Sequence, residues 1–589
     1  MKTNQLKSKM LSLLALIVLL LCGKTYAQEK TKDQPNFLVI VADDMGFSDV
    51  GAFGGEINTP NIDKLAQEGT RYTNYYVAPT CSPTRSMLLT GIDNHLVGLG
   101  NMYEYPAPNQ INEKGYEGFL SKEVPTIAEI LKDNGYHTYM TGKWHLGKNK
   151  EHLPSACGFE RSFSMLSGSG SYFSMNGPDE DATPNHFVED DQYLSKLPKN
   201  YYATTTFTDK IISYIDENKH DGKPFFAYLA HQAPHDPLMV PNKWLRKYKG
   251  VFDNGWDVLR DERLERMVEM GILSEKTEMG ERLWYIPGFD ELKVLAQVTT
   301  ARKMEIYAAV LDYMDMEIGR LMEYLEKNNL KDNTYIVFFS DNGPDVNDKA
   351  STYKKYPGTA AANWMAKTYT HGFQNWGRAE SFTAYGPSWA QVSSAPFYGF
   401  KYTTYEGGIR SPLIVVSPNQ DNQGVINTEA ILHVKDIAPT FLELAGVSSN
   451  NYQTNIAIQG KSWASMLDGK TMSPRSENDY LGTELFSARS IRKGDWKIVN
   501  VPEPIGNGEW QLFNVKQDPG ERFDLAAKNP SKLQELKLDW DEYQKENNVI
   551  IPNRTNFDGM EDKLPPRPPV YDPDFGRGSE IPVETKSNN

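Results

Sequence analysis

The sequence predicts an α/β protein in which a large, mostly parallel or mixed sheet is sandwiched by helices, followed by a smaller C-terminal α+β subdomain. Continuous apolar runs, which suit strands buried on both faces, recur along the chain. Helical patterns lie between these runs, and strands that alternate with helices form a sheet covered on both faces. Near the C-terminus the pattern changes to short strands. The predicted buried strands lie at 36–42, 224–229, 335–339 and 412–416.

The N-terminal segment 1–27 predicts export. A basic start precedes an apolar run at 10–21, and Thr25-Tyr26-Ala27 offers a small-x-small cleavage site. The mature chain is therefore expected to begin at Gln28 and to reside in the periplasm. The apolar run is too short to span a bilayer comfortably, and no other stretch predicts a transmembrane segment.

Cysteine use is sparse. Cys22 leaves lipid anchoring as a second, less favoured expectation, because Leu21 stands where a lipobox needs a small residue. Beyond it, Cys81 and Cys157 are too few for a disulfide framework. Cys157 is expected to pack as a small hydrophobe.

Two helical patterns support the covered sheet. The segment 126–134 places three apolar residues on one face, and Gly135 is the expected stop. A longer pattern covers 303–327 and predicts a helix that packs against the sheet. Its apolar residues at helical spacing are Ile306, Val310, Tyr313, Leu321 and Leu325.

The C-terminal part has a different pattern. The segments 496–499 and 510–514 predict short antiparallel strands, and 518–521 predicts a turn. An amphipathic helix is expected at 531–545, before a tail rich in Pro, Asp and Gly that is expected to be extended or disordered. The chain therefore divides into a signal peptide at 1–27, a main domain at 28–446, the α+β subdomain at 447–550 and the tail at 551–589.

The chain is acidic, with a formal charge of −15 at pH 7. Loss of the signal segment, which contains four lysines and no acids, makes the mature part more acidic still. This charge argues against nucleic acid or an acidic membrane surface as a partner. A site for an anionic ligand must therefore gather positive charge locally.

Polar residues follow three of the predicted strands. Asp43-Asp44 follows the first, His231 and His235 follow the second, and Asp341-Asn342 follows the third. Ligands in open α/β sheets bind beyond the carboxyl ends of the strands, so these side chains are expected at one rim. A lone acid pair would suit a solvated loop or a helix cap, but two oxygen-bearing pairs favour a divalent cation. Oxygen ligands suit Ca²⁺ or Mg²⁺ rather than Zn²⁺.

Four short motifs follow one another along the chain. They are Cys81-Ser82-Pro83-Thr84-Arg85, Gly142-Lys143-Trp144-His145-Leu146-Gly147, Ala233-Pro234-His235-Asp236-Pro237, and Lys401 upstream of Glu406-Gly407-Gly408-Ile409-Arg410. With the acid pairs, they resemble the motifs of the type I, formylglycine-dependent sulfatases of the alkaline phosphatase superfamily. The stretch 375–390 is similar to bacterial arylsulfatases of the Pseudomonas type.

The resemblance implies an alkaline phosphatase-like fold and an enzyme that hydrolyses sulfate esters to an alcohol and inorganic sulfate. Cys81 would be oxidised by a formylglycine-generating maturase to 3-oxoalanine (formylglycine), and one hydroxyl of the hydrated aldehyde would attack sulfur. One Ca²⁺ per chain would assist this attack. Its ligands would be Asp43, Asp44, Asp341, Asn342 and the modified Cys81.

The resemblance also implies the catalytic roles. Lys143 would bind sulfate, and His145 would remove a proton from the second hydroxyl so that sulfate departs. His235 would donate to the ester oxygen or protonate the leaving alcohol, and Lys401 would contact sulfate and the leaving group. Arg85 would hold the formylglycine in place. Together these cations would supply the local positive charge that the acidic chain lacks. The implied catalytic set is Cys81, Arg85, Lys143, His145, His235 and Lys401.

The expected substrate is a sulfated small molecule or glycan, and a carbohydrate sulfate is our hypothesis. The aromatic insertion 369–402 could stack a sugar ring on Trp376 or Trp389. Packing of these aromatic residues in the core explains the pattern equally well.

Two other functions stay open from the sequence. A phosphatase or phosphodiesterase of the same superfamily generally uses Ser or Thr with a His-rich transition-metal site, which the cysteine motif and the oxygen ligands argue against. A non-catalytic protein that binds sulfated glycans would result if Cys81 stayed unmodified.

Overall fold

The computed structural model describes residues 34–177, 184–347, 360–418, 423–448, 455–467 and 469–553. The signal segment, Cys22 and the tail beyond residue 553 lie outside these ranges, so what the sequence predicts for them stays a prediction. Among the helices in the described ranges, none combines the length and the apolar character that a membrane crossing requires.

The large sheet has eleven strands and is mixed, as predicted. Its order is β10-β2-β9-β8-β1-β7-β3-β4-β5-β6, and β11 pairs with β2. The strands are β1 Asn36–Ala42, β2 Thr70–Tyr76, β3 His137–Lys143, β4 Arg161–Met165, β5 Phe187–Glu189, β6 Gln192–Tyr193, β7 Phe225–Ala230, β8 Thr334–Ser340, β9 Arg410–Val416, β10 Val425–Asn427 and β11 Leu432–His433.

The centre of the sheet is parallel. β1 lies between β7 and β8 and runs parallel to both. β9, which the sequence predicts as one of the buried strands of a mostly parallel sheet, instead runs antiparallel to β8 and β2. The physical reason is that a continuous apolar run reports burial on both faces, not strand direction.

Helices cover both faces of the large sheet. The helices of the described residues are α1 Pro60–Glu68, α2 Cys81–Thr90, α3 Ile127–Asp133, α4 Ala203–Asn218, α5 Gly255–Glu269, α6 Val294–Lys327, α7 Ala360–Thr368, α8 Pro387–Ser393, α9 Glu406–Ile409, α10 Ile437–Leu444, α11 Ala464–Leu467 and α12 Pro530–Glu546. The side chains of β1 alternate between two cores: Leu38 and Ile40 face the core that contains α6, and Val39 faces the core that contains α10. Helices on both faces therefore explain why the strand is apolar throughout.

A local sequence signal explains the start of α3 but not that of α6. Thr126 and Glu129 form a capping box that starts α3, because each side chain accepts a hydrogen bond from the other residue's backbone N–H. α6 begins nine residues before the predicted start of its apolar pattern. Val294 and Leu295 in its first turn are 74% and 76% exposed, so the helical spacing of buried apolar residues does not extend to that end of the helix.

A second sheet of four antiparallel strands forms the smaller C-terminal unit, as predicted. Its strands are β12 Tyr480–Leu485, β13 Ala488–Lys493, β14 Trp496–Asn500 and β15 Gln511–Asn514. Helix α12 packs on this sheet through Leu536, Trp540 and Tyr543. The boundaries 447–550 stay a prediction.

A buried histidine joins the segment that follows α2 to the smaller sheet. Nδ1 of His95 lies 2.7 Å from Asp93 Oδ1, and its Nε2 lies 3.2 Å from Oε2 of Glu484 in β12. Burial alone would lower the pKa of His95, but the hydrogen bonds and charges of Asp93 and Glu484 raise it to about 9. The protonated ring therefore stabilises the contact between the two units.

The contact makes stability depend on pH. In the unfolded chain the histidine releases its proton near pH 6.5, so the stabilising charge is fully present below that pH and is lost as the pH rises to about 9. We expect the free energy of unfolding to fall by about 3 kcal/mol over this range. In His95→Gln the fall measured by urea unfolding curves should be smaller by about this amount, whereas the exposed control His220→Gln should keep it. Equal falls in wild type and His95→Gln would contradict the prediction.

Candidate active site

The carboxyl ends of β1, β7 and β8 form the rim that the sequence predicts. Asp43-Asp44 follows β1, and Asp341-Asn342 follows β8. The backbone N–H of Asp341 donates to Ala42 O at 3.1 Å, and the N–H of Asp43 donates to Ala233 O at 3.1 Å. Continuation of the strand ladder thus holds the acid pairs and the loop that contains His235 at one place.

Cys81 lies at this rim. It is the first residue of α2, and its Sγ is 3.4 Å from Oδ1 of Asp43 and 3.9 Å from Oδ1 of Asp44. Burial, together with the negative charge of Asp341, raises the pKa of the thiol well above its ordinary value. The unmodified residue is therefore a neutral thiol, which is a poor nucleophile.

Two buried cations contact the acid pairs from one side. Lys143, the last residue of β3, places Nζ 2.7 Å from Oδ2 of Asp43. Arg85 donates from Nε and Nη2 to Oδ2 of Asp341, at 3.0 and 2.6 Å. Burial raises the pKa of Asp43 to about 6, although Lys143 opposes the shift. For Asp341 burial also acts to raise the pKa, but Arg85 and the lysines lower it to about 2.

Lys401 and His235 contact the site from the other side. Nζ of Lys401 lies 2.8 Å from Oδ2 of Asp44 and 3.3 Å from Nε2 of His235. Nδ1 of His235 is 2.6 Å from the carbonyl oxygen of Asp236, to which it donates a proton. Burial alone would lower the pKa of His235, but Asp44 raises it, which favours a proton on Nε2 as well. The ring can therefore present a proton from Nε2 at the rim.

His145 lies between the rim and a loop. Its Nε2 is 3.1 Å from Oε1 of Glu104, and its Nδ1 is buried with no hydrogen-bond partner among the described residues. Burial lowers the pKa of His145. When Nε2–H donates to Glu104, the lone pair is on Nδ1, which is the nitrogen that can take a proton. A Cβ at Gly168 would lie 2.7 Å from Cε1 of His145, so the ring needs glycine there.

Glu104 is a residue that the motifs do not identify, because it belongs to an irregular loop far from them in sequence. Its negative charge offsets part of the lowering of the His145 pKa that burial causes, and its hydrogen bond orients the ring. We expect Glu104→Gln to reduce kcat about tenfold and to shift the acid limb of the kcat–pH profile to lower pH. The exposed control Glu113→Gln should change neither. An unshifted acid limb would contradict this positioning role.

His231 follows β7 but takes no part in this cluster. Its ring is fully buried, and neither nitrogen has a hydrogen-bond partner among the described residues. Burial lowers its pKa to about 3, so the ring is neutral.

The residues at the rim fit a divalent cation. Asp43, Asp44, Cys81 and His235 each offer a ligand atom, and these atoms lie within 4.8 Å of one another. Asn342 donates from Nδ2 to Oδ1 of Asp44 at 2.6 Å, which leaves its own Oδ1 buried with no partner among the described residues. A cation would satisfy this oxygen and neutralise the carboxylates. The donors are mainly hard oxygens, which Ca²⁺ prefers.

A cavity of about 470 Å³ opens above the cluster, a volume within the usual range for ligand sites. Cys81, His145, His235 and Lys401 lie among its lining residues. The aromatic side chains at its wall are Tyr103, Tyr105 and Tyr402.

The tryptophans singled out by the sequence do not line this cavity. Trp389 is fully buried and donates from Nε1 to the carbonyl oxygen of Thr300 at 2.9 Å. Trp376 is half-buried against the core and packs on Phe373. The hypothesis that a sugar stacks on Trp389 is therefore wrong, because the ring is enclosed in the core.

Comparison with known families gives two matches. The model of the family described as Sulfatase matches residues 35–447, and the model described as N-sulphoglucosamine sulphohydrolase, C-terminal, matches residues 397–545. Among individual proteins, an arylsulfatase of Klebsiella aerogenes is 37% identical over 439 residues, which cover 74% of this chain and 91% of the relative. An N-acetylglucosamine-6-O-sulfatase of Bacteroides thetaiotaomicron is 27% identical, with 91% and 90% covered.

Solved structures have the same fold. One was determined in complex with its substrate D-glucosamine-2-N,6-O-disulfate; its TM-score is 0.56 at 23% identity, and the match covers 88% of this chain and 99% of that one. Another, solved in complex with a neocarrahexaose, has a TM-score of 0.61 at 23% identity, with 90% and 96% covered.

Proposed function

This chain belongs to the sulfatase family and is a sulfuric ester hydrolase, and from that premise we propose that it removes sulfate from sulfated carbohydrates. One observation carries the mechanism we propose: Cys81 is buried at the floor of the cavity, 3.4 Å from Asp43, among lysines and histidines from three separate segments. This arrangement suits an anionic ester with sulfur next to residue 81.

A bound Ca²⁺ is part of the proposal. Asp43, Asp44, Asp341 and Asn342 would hold it, together with residue 81, and the unpartnered Oδ1 of Asn342 supports this set. When bound, the cation would supply Lewis-acid chemistry to the sulfate oxygens.

Conversion of Cys81 to formylglycine is the second part of the proposal. The raised pKa of the buried thiol supports it, because an unmodified thiol would stay protonated and unreactive. Addition of water to the resulting aldehyde would supply the hydroxyl that attacks sulfur. The chain would therefore need a maturase as a partner, and the predicted signal peptide places the mature enzyme in the periplasm under this proposal.

The remaining steps belong to the chain's own side chains. The ammonium groups of Lys143 and Lys401 would bind the anionic sulfate. His235, whose Nδ1 donates to a carbonyl, would give the proton on Nε2 to the leaving alcohol. His145 would take a proton on Nδ1 when sulfate is expelled. Arg85 would act mainly by keeping Asp341 charged and in place.

Two observations support a carbohydrate substrate. Several relatives are named for sulfated sugars, including the N-acetylglucosamine-6-O-sulfatase already described. The cavity wall also offers Tyr103, which is 61% exposed, and Tyr105, which is 39% exposed. Tyrosines of this kind combine an apolar face with a polar hydroxyl and suit the two sides of a sugar ring. These residues replace the tryptophans as our candidates for sugar contact.

The test is sulfate release by matured protein with Ca²⁺ present. The panel would hold one aryl sulfate, sugars sulfated at single known positions and the matching phosphate esters, with Cys81→Ala as the control. Formylglycine would be verified by a loss of about 18 Da from the peptide that contains residue 81. We expect fast release from at least one sulfated sugar, lost in Cys81→Ala. Release from the aryl ester alone would contradict the carbohydrate proposal, and faster phosphate release would favour a phosphatase.

A further inference from the structure

The wall of the active-site cavity contains three carboxylates to which the proposed mechanism assigns neither a proton transfer nor a metal-ligand role: Glu104, Asp236 and Asp345. The first is paired with His145. Asp345 accepts a hydrogen bond from the backbone N–H of Asn347 at 2.9 Å and lies 3.5 Å from Nζ of Lys401. Each of these two acids therefore has its own partner within the protein.

Asp236 is different, because one of its oxygens has no partner. Its Oδ1 lies 3.1 Å from Nδ1 of His235, but its Oδ2 is buried and accepts no hydrogen bond from any described residue. The residue is only 7% exposed and lines the cavity. A buried carboxylate oxygen without a donor is costly, and a donor supplied by a ligand would remove that cost.

A second unpartnered group lines the same cavity. The hydroxyl of Ser167 is buried, with the residue 2% exposed, and it has no hydrogen-bond partner among the described residues. Unlike Asp236, it carries no charge and belongs to a different loop. Two polar groups of residues that line one cavity thus have no partner among the described residues, and a polar ligand or a water in the space above residue 81 would supply it.

We propose that Asp236, with Asp345 beside it, forms a carboxylate subsite that accepts a free hydroxyl group next to the sulfate ester and rejects a second anionic group there. The inference rests on the proposed function and narrows its substrate class to sugars that carry a single sulfate on this part of the ring. A hydroxyl donates to a carboxylate, whereas a second sulfate or a uronic carboxylate would meet like charge in a desolvated wall.

The cations of the cavity do not offset this repulsion. Lys401 contacts Asp44 and, under the proposed function, the scissile sulfate. Lys148 lies over the ring of Tyr103, 5.1 Å from its centroid, on the Glu104 side of the cavity. His235 lies 3.1 Å from Asp236 itself and, under the proposed function, holds the proton for the leaving alcohol. A second anion next to Asp236 would therefore find no further cation among the residues that line this wall.

The experiment measures binding, so it does not depend on turnover. The Cys81→Ala chain, with Ca²⁺ present, would be titrated calorimetrically with N-acetylgalactosamine 4-sulfate, N-acetylgalactosamine 6-sulfate and the 4,6-disulfate. We expect the better monosulfate to bind at least about tenfold more tightly than the disulfate. Adding Asp236→Asn or Asp345→Asn should reduce this ratio to below about threefold. The exposed control Asp191→Asn should leave the ratio as it is.

Three results would overturn the inference: no binding of any of the three sugars, a ratio below about threefold in the starting chain, or a ratio unchanged in both Asp236→Asn and Asp345→Asn. Because only the ratio is compared, a general loss of affinity through the neighbouring His235 cancels. Failure of the proposed function would look different, since matured wild-type protein would then release no sulfate from any ester. The two outcomes are therefore distinguishable.

Discussion

Replacing Lys401 with alanine is expected to lower kcat/KM for sulfate-ester hydrolysis by about 10³-fold or more, with most of the loss in kcat. The ammonium group is fully enclosed and lies within 3.3 Å of Nε2 of His235 and 2.8 Å of Asp44. Burial alone would lower the pKa of Lys401, but Asp345 and Asp44 raise it well above its ordinary value, so the side chain stays charged. Its charge is therefore present where negative charge develops on the leaving oxygen.

The matched control for this prediction is Lys148→Ala. Lys148 lines the same cavity but is half-exposed, so its removal should cost less than about fivefold. The rates would be measured with the aryl sulfate, and thermal unfolding would verify that Lys401→Ala is folded, because Asp44 and Asp345 lose a partner. A loss in Lys401→Ala no larger than that in Lys148→Ala would contradict the assigned role.

Four of the eleven strands of the large sheet could be predicted, because each contains a continuous apolar run. Strands such as β2 and β3 contain polar residues along their length, so their sequences lack such a signal. The predicted strand 36–42 coincides with β1, and 335–339 is one residue short of β8 at each end. The direction of β9 could not be predicted, since it depends on which neighbours the chain meets after a long excursion. The predicted helix 303–327 starts nine residues after the first residue of α6, because the first turn of α6 faces solvent.

The rim of the active site could also be predicted, because parallel topology alone brings the carboxyl ends of β1 and β8 together. Motif residues from distant segments then meet there: Lys143 from the end of β3 and Lys401 from the loop before α9. The residues that line the cavity wall could not be predicted from the sequence. Glu104 and Asp345 belong to irregular segments, and such segments have no periodic pattern that indicates which side chains point inward.

The positions of aromatic side chains, in the core or at the cavity, could not be predicted from the sequence either. Trp389 and Tyr103 are both large, and the sequence contains no pattern that separates a core ring from a cavity ring. Packing encloses Trp389 between Trp256 and Phe252, whereas Tyr103 stays mostly exposed at the cavity. Prediction of sugar contacts therefore needs the three-dimensional arrangement, even where the catalytic motifs do not.

Asn342→Leu is expected to weaken Ca²⁺ binding by about 100-fold and to lower activity at limiting Ca²⁺ by a similar factor. Leucine keeps the branching and the number of heavy atoms of the side chain but removes the unpartnered Oδ1 and the Nδ2 donor to Asp44. Unlike Asp341→Asn, this change leaves Arg85 paired with its carboxylate. The fold should therefore lose only about 1–2 kcal/mol of stability, which is the usual cost of one buried acceptor left without its donor.

The decisive measurement is the shift of the thermal unfolding midpoint as Ca²⁺ is added, because a ligand that binds only the folded state stabilises it in proportion to its affinity. The midpoint of wild type should rise at low Ca²⁺, and that of the exposed control Asn242→Leu should behave in the same way. The midpoint of Asn342→Leu should rise only at about 100-fold higher Ca²⁺. Activity of Asn342→Leu should recover over the same high range, since the affected step is binding of the ion and not the chemistry that follows. A wild-type midpoint that does not change when Ca²⁺ is added would contradict the proposal that the chain binds Ca²⁺. A variant that matches wild type at every Ca²⁺ concentration would contradict only the assignment of Asn342 as a ligand.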